Sequence, residues 1–121
     1  MRCVVVDVDD DDQLHLKTLL ACSPAVTEVI TFSRIYEALL FTSKNLVDIM
    51  FLNMESPHVY QAVSADRDFD PSTFLVLNAS KKGLFNDCKS PAGRQVHFIY
   101  KPFLQEEIVD LTLKFHKMLS F

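Results

Sequence analysis

Four polar residues stand where short apolar runs stop: Asp7 after CVVV, Asn53 after IMFL, Asn78 after FLVL and Lys101 after VHFIY. A carboxylate, two carboxamides and an ammonium can pair with one another or present donors to an oxyanion. The run Asp9, Asp10, Asp11 and Asp12 follows the first stretch, and Glu55 lies two residues beyond Asn53. The acid run reads as a solvated helix start, where negative charge favours the positive end of the helix dipole. Its alternative is a displaced metal site centred on Asp7 and Asp9. The histidines, His15, His58, His97 and His116, lack metal-ligand spacing, and no Ser-His-Asp or Cys-His order is visible. No glycine-rich phosphate loop is present. Cys3, Cys22 and Cys88 lack CxxC spacing and read as reduced thiols of a cytosolic protein.

The elements that must position these groups alternate. Cys3 to Val6 is a β-branched run with a buried-strand signature. A helix is expected from about Asp11 to Ala21, with Leu14, Leu16, Leu19 and Leu20 at near-helical spacing, stopped by Ser23-Pro24. Val26 to Phe32 reads as a second strand. Ser33 is the expected cap of a short helix burying Ile35, Ala38, Leu39 and Leu40. Val47 to Leu52, broken only by Asp48, reads as a central strand buried on both faces. A short helix over Pro57 to Ala65, a strand over Thr73 to Leu77, a loop over Ser80 to Arg94 and a strand over Val96 to Tyr100 complete the middle of the chain. Leu104, Ile108, Leu111, Phe115 and Leu119 form the stripe of an amphipathic C-terminal helix. Alternating strands and helices argue for a parallel sheet with helices on both faces. Parallel strands put their carboxyl ends on one edge, where ligands collect in such sheets. Asp7, Asn53, Asn78 and Lys101 are therefore expected to converge.

Length and composition set the bounds. The 121 residues fit one domain, and 49% hydrophobic with 23% charged residues is ordinary for a globular protein. A net charge of −4 gives no electrostatic footprint for nucleic acid. No apolar run approaches a membrane span. Met1-Arg2 leads directly into the first strand, so no signal peptide is expected.

On the stretches RCVVVD, VDIMFLNMESP, TFLVLNAS and VHFIYKPF, the chain resembles a response-regulator receiver domain of the CheY-like type across residues 1–121. The nearest flavour is that of receivers from LytTR-type transcriptional regulators. The resemblance implies a flavodoxin-like, five-stranded parallel sheet of order 2-1-3-4-5 with helices on both faces. It also implies a bacterial, cytoplasmic role in two-component phosphorelay signalling. In that family the central strand ends in the aspartate that accepts phosphate. Two acids after the first strand hold Mg²⁺, a Ser or Thr ends the fourth strand, and Lys-Pro follows the fifth.

This chain departs from that pattern at three of those positions. Asn53 stands at the phospho-acceptor position, and a neutral amide is a poor nucleophile. Asp7 falls on the first acid but Val8 on the second, and Asn78 replaces the Ser/Thr. Lys101 is kept, as is an aromatic, Phe98, at the position that switches rotamer. Mg²⁺ takes oxygen ligands, and Asp7, Asp9 and Glu55 are the only candidates, so weak binding or none is expected, with no cofactor. Lys101 is expected to pair with Asp7 in an idle pocket. The reading is a non-enzymatic pseudo-receiver acting through protein contacts. Its partners would be a sensor kinase, or a DNA-binding domain following Phe121 that this chain does not hold. A homodimer through the last strand and last helix is the other surface implied, with no nucleic acid or membrane bound by this chain. The alternatives are a receiver using a displaced acid, Asp9 or Glu55, and a small-molecule domain on the same fold.

Overall fold

The computed structural model describes residues 1–81, 94 and 96–119. Five strands, β1 (Arg2–Val6), β2 (Glu28–Phe32), β3 (Ile49–Asn53), β4 (Phe74–Ala79) and β5 (Val96–Tyr100), form one parallel sheet in the order β2-β1-β3-β4-β5. Four helices are described: α1 (Asp10–Ala21), α2 (Ile35–Thr42), α3 (Val59–Ala65) and α4 (Gln105–Leu119). This is the flavodoxin-like architecture the resemblance implied. Most of the expected loop over Ser80 to Arg94 lies outside the described residues.

Side chains alternate across the strands, and the sheet accordingly feeds two cores. Val4, Val6, Met50 and Leu52 face Ile35 and Ala38 of α2 and Val59 and Val63 of α3. Cys3, Val5, Ile49 and Phe51 face Leu16, Leu19 and Leu20 of α1 and Ile108, Leu111 and Phe115 of α4. Burial pushes the Cys3 thiol up to about 12, the behaviour of an inert core sulfur. Ser23 and Thr112 tie the end of α1 to α4 through a buried hydroxyl pair at 2.7 Å.

Several expected boundaries move. β3 begins at Ile49 because Asp48 is used sideways: its carboxylate accepts the Arg2 N–H at 2.8 Å and its carbonyl accepts the Phe74 N–H. Val26 lies outside β2. β4 starts one residue later than expected and runs two further, so Asn78 is inside the strand. Ser33 does not cap α2: Arg34 holds the N-cap position without a side-chain bond, while Ser33 Oγ accepts from Gln13 Nε2 at 3.1 Å. Leu14 and Leu40 are exposed, off the buried faces of α1 and α2. Leu104 and Leu119, the ends of the α4 stripe, are exposed too; one precedes the helix and the other is its last residue.

Candidate functional site

Parallel pairing brings the carboxyl ends of β1, β3, β4 and β5 to one edge. In that register Asn53 lies beside Asn78. The Asn53 Nδ2 group donates to Asn78 Oδ1 at 3.0 Å. Ser56, in the loop after β3, donates its hydroxyl to Asn53 Oδ1 at 2.7 Å and accepts the Val8 N–H at 2.9 Å. The backbone N–H of Val8 can only donate, so Ser56 must spend its proton on Asn53. This fixes the direction of a chain of bonds running Val8, Ser56, Asn53, Asn78. Asn53, Ser56 and Asn78 are all buried. Among the described residues no buried side-chain nitrogen or oxygen lacks a partner, as buried polar groups require.

Asp7 and Lys101 form the second half of the site. Asp7 is buried; its Oδ1 accepts the Asp9 N–H at 2.9 Å and its Oδ2 meets Lys101 Nζ at 2.9 Å. Lys101 Nζ also donates to Asp12 Oδ2 at 2.6 Å. The lysine thus bridges two carboxylates, one buried and one half-exposed. Burial pushes the Asp7 carboxyl up, against the opposing pull of the Asp9 N–H and Lys101. Burial alone would lower the Lys101 ammonium, but its bonds to Asp12 and Asp7 hold it above the ordinary lysine value. The contacts decide for the ionised pair, because a carboxylate that accepts from both an ammonium and a backbone N–H is favoured in its charged form.

The remaining expected residues are placed less centrally. Asp9 is exposed and serves as the N-cap of α1, accepting the Asp12 N–H at 3.0 Å. Glu55 is exposed, and its carboxylate grips Ser80 through the backbone N–H at 2.7 Å and the hydroxyl at 2.6 Å. Those bonds, the Ser80 hydroxyl first, hold the Glu55 carboxyl below its usual value, with help from Lys101 and the Asn53 amide. Val8, at the position of the second acid, is exposed. Phe98 is half-buried on β5, packed against the α2/α3 core and stacked near Tyr100 with ring centroids 6.5 Å apart.

The sequence reading left three contributors out. Asp12 was grouped with the solvated acids, although it lies one helical turn beyond Asp9 and close to the β1 exit. Ser56 and Ser80 depend on the course of the loops after β3 and β4, and their residue types alone carry no signal.

The donor set does not fit Mg²⁺. Asp7, Asp9 and Glu55 do not form a common ligand set: Asp9 caps a helix and Glu55 holds Ser80. Both oxygens of Asp7 are already engaged, one of them by a cation. Among the described residues no group of three or more His, Cys, Asp or Glu is arranged to hold a metal.

No family model matches the chain, and no curated protein matches it in sequence. Solved structures do match. The receiver domain of the Francisella response regulator 1452 is 16% identical, with 98% of each chain covered and a TM-score of 0.79. A response regulator from Thermotoga maritima is 20% identical over 96% of this chain and 97% of its own, at a TM-score of 0.78. The response regulatory domain of protein mrkE from Klebsiella pneumoniae is 21% identical over 98% and 97%, at 0.73. The chain has the receiver-domain fold. Among its described residues no helix is long and apolar enough to cross a membrane.

Proposed function

We propose that this chain is a receiver-type signalling domain of a two-component response regulator that takes no phosphate at Asn53. In this reading it is not an enzyme, and its output is made by contact with other proteins. The observation that carries the reading is the state of Asn53: a buried carboxamide, bonded at its oxygen by Ser56 and at its nitrogen to Asn78. An amide so held is uncharged and buried, and it is a poor nucleophile toward phosphorus. Lys101, clasped between Asp7 and Asp12, supplies the positive charge of the site from within the chain.

Displaced acids are poor substitutes. Asp9 is committed to its helix and Glu55 to Ser80. Partner contacts are assigned to β5 and α4, where Glu106, Asp110 and Lys117 are exposed, with a second copy, a sensor kinase or an attached effector as the occupant. A DNA-binding domain following this chain, as in LytTR-type regulators, and a bacterial cytoplasmic setting belong to the same proposal.

Incubation with acetyl phosphate and Mg²⁺, read by intact mass, tests it. The expected spectrum is that of the unmodified chain. A stoichiometric gain of one phosphoryl group would sink the proposal, and peptide mapping to Asp9 or Glu55 would install the displaced-acid alternative.

A further inference from the structure

The opposite edge of the sheet, remote from the amide chain, carries a cavity of about 650 Å³. It opens where β4 and β5 begin, between those strands, the loop over 66–73 and the later turns of α4. Pockets that hold small organic molecules occupy roughly 300–1,000 Å³. Part of the wall is aromatic. Phe74 and Phe115 stack with ring centroids 4.3 Å apart and planes 11° from parallel. Phe69, buried in the α2/α3 core, also lines the cavity, and Met118, an adaptable thioether, is exposed at it.

The charged lining divides into a spent pair and an open group. Arg94 donates to both carboxylate oxygens of Asp66, at 3.1 and 3.4 Å, and to the carbonyls of Phe69 and Thr73. That pair is satisfied within the chain. Lys114 is exposed and has no ion pair or hydrogen bond among the described residues. His97 stands beside it, with its ring edge-on to Phe115 at 6.1 Å. Burial first, then Lys114, pushes the His97 imidazole down against the opposing pull of Glu107, which favours the uncharged ring with one N–H to give. With Arg94 and Asp66 paired, Lys114 is the remaining lysine or arginine among the described residues lining the cavity, and the Glu107 and Asp110 carboxylates lie on the adjoining surface.

We propose that this cavity binds a small aromatic carboxylate, its ring against the Phe74–Phe115 stack and its carboxylate on the Lys114 ammonium and the His97 N–H. The stacked rings select a ring over a branched chain, since aromatic pairs gain from offset stacking. The lone lysine selects an acid over its neutral counterpart. None of the residues at the amide chain takes part, so this proposal stands or falls separately from the reading of that edge.

The test is a titration of the ¹⁵N-labelled chain with 2-naphthoate, and in parallel with the neutral 2-naphthalenemethanol. Saturable amide shifts are expected at Phe74, His97, Lys114 and Phe115, with the acid binding about five-fold more tightly than the alcohol. Lys114→Gln is expected to erase that preference while leaving the alcohol's affinity unchanged. Met118→Trp, which crowds the cavity, is expected to weaken both ligands. The absence of saturation by about 5 mM, shifts centred elsewhere, or equal affinity for acid and alcohol in the unaltered chain would each overturn the proposal. Survival of the preference in Lys114→Gln would do the same.

Discussion

At the scale of single residues, the site is decided by which groups donate and which accept. Asn53 satisfies Ser56 with its oxygen and Asn78 with its nitrogen, and an aspartate could do only the first. Asn53→Asp buries a carboxylate beside Asn78 Oδ1, an acceptor, unless the Asn78 amide turns over. The variant is expected to lose about 1–3 kcal/mol of stability at pH 7, the cost of a buried polar group left unsatisfied. The new carboxyl, raised by burial, has a folded value above its unfolded one. Its protonated form is therefore favoured in the fold, and the deficit relative to the parent should close as pH falls through that raised value. Urea denaturation of both proteins at pH 7 and pH 5 checks this. Glu55 behaves in the opposite sense. Its carboxyl is held low by Ser80, so its contribution is present above the ordinary glutamate value and lost as pH falls through the folded one. Because Glu55 is exposed, Ser80→Ala should cost less than about 1 kcal/mol at pH 7. That difference should vanish in acid, which the same denaturation series at pH 3 would show.

At the scale of elements, the strands were legible and the connections between them were not. The apolar runs after Arg2, Asp48 and Thr73 announce β1, β3 and β4, because a strand covered on both faces needs little else; the run after Gln95 announces β5, an edge strand only partly buried. β2 is less apolar than the others and only partly buried. Its expected start at Val26 fell two residues before Glu28, the first paired residue, because Val26 packs against the α1/α4 core without joining the ladder. Helix faces were read less well at their margins. Leu14, Leu40 and Leu104 fit a periodic pattern yet face solvent, since the sheet covers only a limited arc of each helix. The convergence of Asp7, Asn53, Asn78 and Lys101 followed from parallel strand order. Asp12 and Ser56 were missed because their roles depend on the angle at which a loop leaves its strand. The acid run shows the difference within four residues: Asp9 caps α1 while Asp12 turns inward to Lys101. Asp9→Ala should therefore cost about 1 kcal/mol of stability, the usual value of an N-cap, and leave the Lys101 environment unchanged. Thermal unfolding, together with the ¹⁵N resonance of the Lys101 side chain, would check both halves.

At the scale of the whole molecule, two cores clamp one sheet, and the two edges of that sheet carry different chemistry. One edge holds a buried amide chain and a lysine bridging two acids; the other opens into a cavity lined by aromatic rings and by Lys114, which has no ion pair among the described residues. Receiver-fold structures match the chain almost end to end at no more than 21% identity in the three compared. The same architecture is thus shared at low sequence identity. The proposed reading of the site rests on Lys101 supplying its cation from within the chain. The direct measurement is a Mg²⁺ titration of the unaltered chain, watched through the side-chain carboxyl carbons of Asp7 and Asp12 and the Lys101 ammonium. A lysine already seated between the two acids predicts only small, unsaturated changes through millimolar metal. Saturable sub-millimolar shifts at all three groups would contradict it.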